Sequence, residues 1–507
     1  MGHMRILVLG GTVFLSRAVA REALARGHEV TCACRGSGGR IPEGATHAAL
    51  DRARDTDPLG SPWASLAETD WDAVVDVART PSWVRTALAA LAGHVRHWTF
   101  VSTINVYADL SRTGGTPADT ALLEPPAPEE GDAGDLDGEG DSTAYGRNKV
   151  ACENAVRDAM PGRAFVVRPG LIVGPDDPTG RFAYWPSRLA RGGRTLAPAP
   201  GSDPAQVIDV CDLAVWIVDA AEAGLVGDFD GIGPAQPRSE FLGALAAGVA
   251  DAREAAGADP VEFAWAGPDV LEGLDVAPWS GPRSLPVWLP LGAMPELTGM
   301  LARDHAPSAA AGLRCRPVAE SARDTLAWLT GAPDAAVGGL SVAEEADVLA
   351  ALDLKPRSRT VHAALVRAGL PGRIVTLPGA AATASLAAEA LGCEVGAIAN
   401  SLVFLADGAP LLVMASGAQR VDTGVLAAHL GKDLIERATA DQVRAATGQA
   451  IGGVAPTGHP EPLETIIDPE LAAYEQIWAA GGTPHTVFQM TYAELVTLSG
   501  GRELPVR

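Results

Sequence analysis

The stretch Arg5-Ile-Leu-Val-Leu-Gly-Gly-Thr-Val-Phe-Leu15 decides the fold of the first half of the chain. Its first five residues form a mostly apolar run with the length of a β-strand, and two glycines interrupt that run. Leu15, Val19 and Ala23 then recur at helical spacing, and Gly27 marks a stop. The pattern therefore predicts a strand, a tight glycine turn and a helix. In this arrangement backbone N–H groups and a helix N-terminus can meet a pyrophosphate.

Further strands are expected at 29–34, 73–78, 98–102 and 164–168, with helical stretches between them. Strands that alternate with helices predict an α/β fold with a Rossmann-type, doubly wound parallel sheet. From about 225 to 330 the chain is rich in Pro, Trp and Ala and shows no clean strand alternation. This part is therefore expected to form a small cap subdomain.

The composition bounds the class of protein. A length of 507 residues is enough for about three domain-sized units. The 39 Lys and Arg residues against 62 Asp and Glu residues give a net charge of −23, which excludes a general attraction for nucleic-acid phosphates and leaves only local contacts. The six cysteines are scattered and have no metal-binding spacing, so reduced thiols, a cytoplasmic location and no metal site are expected. No apolar run reaches the roughly 18 residues that a membrane span needs.

An acidic stretch with three prolines interrupts the first half at 124–141. Its eight Asp and Glu residues cannot bury apolar area, so the stretch is expected to be a solvated surface insertion. Because it directly precedes a candidate catalytic motif, a flap over the site is the alternative.

Tyr145 and Lys149 are four residues apart, which places both on one face of a helix. A phenol with a pKa near 10 is a poor acid at neutral pH, and a Lys ammonium one turn away favours the phenolate. A hydroxyl from Ser102 or Thr103, at the end of the preceding strand, could polarise the same substrate oxygen. The spacing indicates proton-transfer chemistry, although such pairs also occur by chance.

Two residues bear on a dinucleotide cofactor. Arg35 ends the second strand, where an Arg can hold the 2′-phosphate of NADP, or is a solvated loop residue. Asp51 follows a third short apolar stretch, where its carboxylate could accept from an adenine amine, or is an ordinary surface residue. Val13 and Ser16 occupy the second and third glycine positions of the dinucleotide fingerprint, so that fingerprint is imperfect.

Together these residues resemble the extended short-chain dehydrogenase/reductase family, in its NAD-dependent epimerase/dehydratase branch. The resemblance covers residues 4–330, with cap elements at about 175–205 and 225–330. It rests on the turn at Gly10–Leu15, Asp51, Val101-Ser-Thr-Ile-Asn-Val-Tyr107, the Tyr145/Lys149 pair, Arg168-Pro-Gly170, Gly174-Pro175 and the segment Val207–Ala214.

The resemblance implies hydride transfer at C4 of a nicotinamide, paired with proton transfer through a tyrosine. It assigns Thr103 as the catalytic hydroxyl, Tyr145 as the acid/base and Lys149 as the partner that lowers its pKa. The expected cofactor is NADP, with NAD as the alternative. Its binding residues are then Gly10, Thr12, Val13, Phe14, Leu15, Arg35, Asp51, Ala78, Lys149 and Pro169.

Residues 331–356 have the composition of a linker, and a last unit follows at 357–507. This unit contains the turn Ile451-Gly-Gly-Val-Ala-Pro456. A Gly-Gly turn closed by Pro can present backbone N–H groups to an oxyanion or to a substrate carbonyl, but it is also a common turn.

The last unit resembles the YbaK and prolyl-tRNA synthetase-associated editing domain family, whose members hydrolyse mischarged aminoacyl-tRNA. The resemblance rests on Leu391–Phe404, Ser416–Asp422, Gly452–Pro456 and Thr483–His485. It implies a separate mixed α+β domain whose site is formed by Asn400, Ser401, Gly452, Gly453, Pro456, His459, Asp468 and His485. Many members carry a Lys where this chain has Asn400, so a charged contact to the tRNA terminus is missing.

We therefore expect a bifunctional enzyme. An NAD(P)-dependent reductase or epimerase for a small, amino-acid-derived metabolite would be fused to an aminoacyl-tRNA deacylase-like domain. Its partners would be that metabolite and aminoacyl-tRNA, and assembly into an oligomer is left open. The alternative is a binding protein whose cofactor site (Val13, Ser16) or editing site (Asn400) has lost its chemistry.

Overall fold

A computed structural model describes residues 2–127, 142–381 and 383–507. Residues 128–141 make up most of the acidic stretch for which we expected a surface insertion or a flap, and they lie outside the described residues. None of the helices in the described part is long and apolar enough to cross a membrane.

The chain divides into two compact units. The first comprises Met1–Trp265 and Ala277–Gly339, and the second comprises Ala266–Val276 and Leu340–Arg507. Each unit has its own sheets and its own buried apolar residues.

The strands up to residue 339 supply one large sheet and several short pairs. They are β1 (Arg5–Leu9), β2 (Glu29–Cys34), β3 (Thr46–Ala49), β4 (Trp71–Asp76), β5 (Val95–Val101), β6 (Ala164–Pro169), β7 (Leu171–Val173), β8 (Gly193–Pro198), β9 (Pro204–Ala205), β10 (Val207–Asp209), β11 (Gly227–Gly231), β12 (Gln236–Pro237), β13 (Val261–Ala266), β14 (Ala277–Trp279) and β15 (Ser284–Pro286).

The helices up to residue 339 are α1 (Phe14–Ala25), α2 (Ser61–Ala67), α3 (Pro81–Leu91), α4 (Ser142–Ala159), α5 (Tyr184–Ala190), α6 (Val210–Ala223), α7 (Arg238–Gly248), α8 (Ala250–Ala255), α9 (Pro268–Gly273), α10 (Ala306–Ala310) and α11 (Val318–Gly331).

The large sheet has seven strands in the order β11-β6-β5-β4-β1-β2-β3. Every neighbouring pair in it is parallel. The order reverses between β1 and β4, as a doubly wound sheet requires. The predicted Rossmann-type parallel sheet is therefore confirmed.

Helices cover both faces of this sheet because successive side chains of a strand point in opposite directions. Ile6 and Val8 of β1 belong to one buried cluster, in which α1 packs against α6. Leu7 and Leu9 belong to a second cluster, which includes Trp63 of α2 and residues of α3 and α4. The sheet is thus buried on both sides, which explains why its strands read as continuous apolar runs.

The second unit is a mixed α+β domain, as predicted. Besides α9, its elements are α12 (Val342–Leu352), α13 (Pro356–Arg367), β16 (Ile374–Thr376), α14 (Ala384–Leu391), β17 (Ala399–Ala406), β18 (Ala409–Ser416), α15 (Thr423–Leu430), β19 (Ile435–Arg437), α16 (Ala440–Thr447), β20 (Glu464–Ile467), β21 (Ile477–Ala480), β22 (Thr486–Met490), α17 (Tyr492–Ser499) and β23 (Arg502–Glu503).

These strands form two sheets. One has five strands in the order β19-β17-β18-β20-β23, antiparallel at first and parallel from β18 onward, and the other has three antiparallel strands in the order β16-β22-β21. The segment 331–356, for which we expected a linker, contains α12, and a capping box of Ser341 and Glu344 begins this helix.

The glycine turn after β1 is sterically specified. Gly11 has a φ of +100°, and a Cβ there would collide with the Sγ atom of Cys32 on the neighbouring β2. Gly10 donates its N–H to the carbonyl of Ala33 at 3.0 Å. The turn therefore approaches β2 so closely that only glycine fits at position 11.

We expect Gly11→Ala to lower the free energy of unfolding by about 2–4 kcal/mol, because it combines an unfavourable φ with a clash in a packed core. Gly27→Ala is the matched control. Gly27 has a φ of +82°, but a Cβ at this position would have no atom within 4 Å, so only about 1 kcal/mol of backbone strain is expected. Urea unfolding of both variants checks this. Equal losses in the two variants would show that the contact with Cys32 is not the cause.

Candidate functional site

The carboxyl ends of the parallel strands bring the predicted residues of the first unit to one edge of the sheet. The Gly10 turn follows β1, Ala78 lies two residues after β4, Thr103 lies two residues after β5, and Pro169 ends β6. Residues far apart in the sequence thereby come to the same edge of the sheet, which includes the point between β1 and β4 where the strand order reverses.

The glycine turn leads directly into the N-terminus of α1. Val13 is the N-cap residue of this helix, and its side chain makes no capping hydrogen bond. The Val13 side chain is 47% exposed, so it is not packed into the turn. Phe14, the first helical residue, has a φ of +40°. An uncapped helix N-terminus of this kind can bind an anion such as a pyrophosphate.

Ser16 has a role that the sequence analysis missed. It is buried, its hydroxyl accepts a hydrogen bond from the N–H of Gly11 at 3.1 Å, and it donates to the carbonyl of Val13 at 2.8 Å. The residue that we interpreted as a departure from the third glycine therefore stabilises the turn. The only sign of this role in the sequence is that Ser16 follows Gly11 by five residues. That spacing indicates a hydrogen bond only once the geometry of the turn is known.

The loop after β2 lies against the glycine turn. A Cβ at Gly39 would come within 3.1 Å of the carbonyl oxygen of Thr12, so this loop packs tightly on the turn. Arg35 is exposed at the start of the loop. Asp51, after β3, is half-buried, and its side chain accepts from the N–H of Ala53 at 3.1 Å.

Arg52 and Asp76 form a buried ion pair that the sequence did not reveal. The pair lies between Asp51 and Ala78. Asp76, fully buried at the end of β4, accepts from the two terminal nitrogens of Arg52 at 2.7 and 3.1 Å. It also accepts from the N–H of Ala78 at 3.0 Å. This ion pair ties the segment after β3 to the segment after β4.

Lys149 is buried and points to the same edge of the sheet. Its Nζ donates to the carbonyls of Ala78 at 2.7 Å and Val101 at 2.6 Å, and lies 4.8 Å from the centre of the Phe100 ring. Burial lowers the pKa of Lys149 to about 8, while the negative charge of Asp76 acts in the opposite direction.

Tyr145 and Thr103 are brought into hydrogen-bond contact. Burial raises the pKa of Tyr145, and the charge of Arg79 and the hydrogen bond with Thr103 oppose that rise. We expected Lys149 to lower the pKa of this phenol. Burial raises this pKa instead, and the Lys149 ammonium donates to two backbone carbonyls. The phenol of Tyr145 is therefore protonated at neutral pH.

In the second unit, Gln449 holds the Gly452–Pro456 loop in place. Its buried side-chain amide accepts from the N–H of Ala455 at 2.6 Å and donates to the carbonyl of Thr457 at 3.1 Å. Gly453 lies so close to Thr483 that a Cβ would come within 2.6 Å of its Cα. Pro456 is buried. The loop is therefore rigid and packed directly against the Thr483–His485 segment.

The remaining predicted editing residues have distinct surroundings. Asn400 and Ser401 are half-buried on β17, and the Ser401 hydroxyl lies 3.3 Å from the sulfur of Met414. Asp468 is 2% exposed and accepts from the backbone of Ser416 and of Glu470, which is a structural role. Burial lowers the pKa of His459, so its imidazole is neutral, and the carbonyl of His485 accepts from Leu377 at 2.7 Å.

No group of three or more His, Cys, Asp or Glu side chains in the described ranges could hold a metal ion.

Comparison with known proteins finds two family models, each matching a different part of the chain. Residues 6–229 match the model of the NAD dependent epimerase/dehydratase family, and residues 378–498 match the aminoacyl-tRNA editing domain.

Individual relatives match one unit each. A proline–tRNA ligase of Nitratidesulfovibrio vulgaris is 30% identical over 154 residues, which are 30% of this chain and 24% of the ligase, so the chain spans about a quarter of that relative. The crystal structure of a candidate trans-editing enzyme for prolyl tRNA synthetase is 40% identical, covers 31% of this chain and 99% of its own, and has a TM-score of 0.30. The Bordetella bronchiseptica enzyme WbmH in complex with NAD⁺ is 15% identical over 65% of this chain and 99% of its own, with a TM-score of 0.42.

The lowered pKa of Lys149 predicts a pH-dependent stability. Below about pH 8 the residue is charged in both states, and the folded state bears the full penalty of burial. Between about pH 8 and the ordinary value of 10.5 the unfolded chain binds more protons, so the free energy of unfolding rises with pH.

We therefore expect the free energy of unfolding of the wild type to increase by about 3 kcal/mol relative to that of Lys149→Met between pH 7 and pH 10. Urea unfolding of both proteins measures this difference. Lys432→Met, a change at a partly exposed side chain of the second unit, is the comparison for losing one lysine. A wild-type stability that runs parallel to that of Lys149→Met would contradict a charged, buried ammonium.

Proposed function

Because the chain joins a domain of the NAD-dependent epimerase/dehydratase family to an aminoacyl-tRNA editing domain, we propose that it is a bifunctional enzyme. The first unit would act as an NAD(P)-dependent reductase or epimerase of the short-chain dehydrogenase/reductase type, on a small metabolite derived from an amino acid. The second would hydrolyse an aminoacyl ester of tRNA. The observation that carries the first half is the grouping of Thr103, Tyr145 and Lys149 at the edge of the sheet beside the glycine turn.

The residues at this edge fit a dinucleotide. The uncapped start of α1 can receive the pyrophosphate, and Asp51 and Arg35 lie where the adenosine half would extend. When bound, a nicotinamide supplies or accepts hydride at C4. Arg35, exposed and directly after β2, supports the preference for NADP, because a guanidinium is suited to a 2′-phosphate.

Tyr145 performs the proton transfer in this proposal. Its raised pKa keeps the phenol protonated at neutral pH, so it can donate a proton to a substrate oxygen as a carbonyl becomes a hydroxyl. Thr103, in hydrogen-bond contact with Tyr145, orients the same oxygen. Lys149 holds Ala78 and Val101 in place through its two carbonyl contacts, and its positive charge would favour the phenolate that forms during the reaction.

The editing site would work by positioning rather than with a strong base. The rigid Gly452–Pro456 loop offers backbone groups to the ester carbonyl, and a neutral His459 follows it. Asn400 removes the positive charge that many family members have at this position. Residues 357–507 carry ten Lys and Arg against fourteen Asp and Glu, so contact with tRNA would be local and weak.

We expect Tyr145→Phe to reduce turnover of a carbonyl substrate by about 10²–10⁴-fold, the usual contribution of a positioned acid, without weakening cofactor binding. Turnover is measured by NADPH and NADH oxidation with a panel of aldehydes and ketones derived from amino acids. Because the protonated phenol is the active form for reduction, the rate should fall as the pH rises through the raised pKa of Tyr145. Tyr492→Phe, in the second unit, is the control for losing one phenol.

A wild type whose melting temperature and tryptophan fluorescence respond to neither cofactor would contradict the reductase proposal. Unchanged turnover in Tyr145→Phe would show instead that another group supplies the proton.

For the second unit, we expect hydrolysis of at least one charged tRNA in a panel of aminoacyl-tRNAs. Asn400→Lys should increase the rate about tenfold and steepen its dependence on salt, because it adds a phosphate contact. Gly453→Ala should abolish hydrolysis, since its Cβ would displace the loop from Thr483. If the wild type hydrolyses no charged tRNA and Asn400→Lys restores hydrolysis, the unit binds an aminoacyl group without cleaving it.

A further inference from the structure

A cluster of buried charged groups lies next to the reductase site, and Arg168 is at its centre. Arg168 is 1% exposed and Glu153 is fully buried. The Nε and Nη2 atoms of Arg168 donate to the two carboxylate oxygens of Glu153 at 2.9 and 2.7 Å. The Nη1 atom donates to the hydroxyl of Tyr107 at 3.1 Å.

Two partners of Arg168, Glu153 and Tyr107, belong to the segments that carry the proposed catalytic groups, and its Nη2 atom also donates to Asp228 of β11 at 3.1 Å. Glu153 follows Lys149 by four residues and Tyr145 by eight, so all three lie along one face of α4. Tyr107 ends the short 3-10 segment that begins after Thr103. Arg168 itself precedes Pro169 at the end of β6. The Arg168 guanidinium therefore contacts both α4, through Glu153, and the segment after Thr103, through Tyr107. Arg168 itself lies on the third segment of the site, the end of β6.

A second buried pair fixes the orientation of Tyr107. The Tyr107 hydroxyl donates to Asp230 at 2.6 Å, and Arg303 donates to the other oxygen of the same carboxylate at 2.8 Å. The Arg303 guanidinium also lies 3.7 Å from the centre of the Tyr107 ring. The phenol of Tyr107 thus accepts from one Arg and donates to an Asp that a second Arg neutralises.

Buried ion pairs of this kind fix the orientation of the paired side chains more than they stabilise the fold. Burying a carboxylate and a guanidinium costs about as much as their attraction returns, and an apolar pair of equal volume is often as stable. The fork of a guanidinium, in contrast, fixes the angle and the distance of a carboxylate through two parallel hydrogen bonds. Lysine cannot reproduce that geometry, although it keeps the charge.

We propose that Arg168 is a positioning residue that sets the relative placement of the Thr103 segment, the Tyr145/Lys149 helix and Pro169, and thereby of the nicotinamide ring. This inference rests on the proposed cofactor site of the first unit. It requires that the loss of the fork disturb the nicotinamide end of that site and leave the adenosine end unchanged.

The test compares two ligands on the full chain by fluorescence titration. One is the reduced dinucleotide that the wild type binds more tightly, and the other is the same dinucleotide without its nicotinamide ring. We expect Arg168→Lys and Tyr107→Phe to weaken binding of the complete dinucleotide about tenfold, as the loss of a charged hydrogen bond predicts. Binding of the truncated ligand should stay within about twofold, because those contacts are remote from the fork.

Arg157→Lys is the matched control. Arg157 also donates to Glu153 at 2.7 Å and to Asp228 at 2.6 Å, but its remaining bond goes to Asn154, so this variant should bind both ligands like the wild type. Melting temperatures identify variants that have lost the fold, and Tyr107→Phe, which keeps the buried ion pair, tests the proposal if Arg168→Lys does not fold.

Equal weakening of both ligands would assign Arg168 a purely structural role and overturn the proposal, as would unchanged binding of the complete dinucleotide. A wild type that binds neither ligand would contradict the proposed cofactor site itself.

Discussion

The ammonium of Lys149 is buried between two backbone carbonyls, and the geometry of the first unit's site depends on this contact. The carbonyls belong to Ala78, just after β4, and to Val101, at the end of β5. A shift of α4 by one turn would break both hydrogen bonds and leave a charge buried without a partner, which is strongly unfavourable. The contact therefore fixes the register of α4 on the sheet, and with it the position of Tyr145 one turn earlier.

The acidic groups around this ammonium have arginine partners of their own. Asp76 is held by Arg52, and Glu153 is held by Arg168. Neither carboxylate therefore replaces the carbonyls as the hydrogen-bond partner of Lys149, although both charges favour its protonated form. In the proposed function, the phenol of Tyr145 and the hydroxyl of Thr103 are then the groups that would meet a substrate.

The sequence was sufficient for those parts of the molecule that depend on local spacing. The strand, turn and helix at Arg5–Leu15, the parallel sheet and the common helix face of Tyr145 and Lys149 all follow from periodicity and from the conformational freedom of glycine. The editing-type unit and its loop at Gly452–Pro456 were found from their motifs.

Pairings between distant residues could not be predicted in this way. Arg52 and Asp76 are separated by 24 residues, and nothing in the periodicity of either segment indicates which charges will meet. Ser16 was interpreted as a lost glycine because the fingerprint records residue types and not hydrogen bonds. The raised pKa of Tyr145 likewise depends on burial, which a four-residue spacing does not reveal.

The two units hold their proposed sites together by different interactions. The first unit buries charged side chains and pairs them, as Arg52 with Asp76 and Arg168 with Glu153. The second unit holds its loop with the neutral amide of Gln449 and with a close contact between Gly453 and Thr483. An ester carbonyl carries no net charge, so backbone groups can orient it without a nearby cation. Residues 357–507 carry ten Lys and Arg against fourteen Asp and Glu, so in the proposed function the selectivity of this unit would come from its contacts with the aminoacyl group rather than from attraction for phosphates.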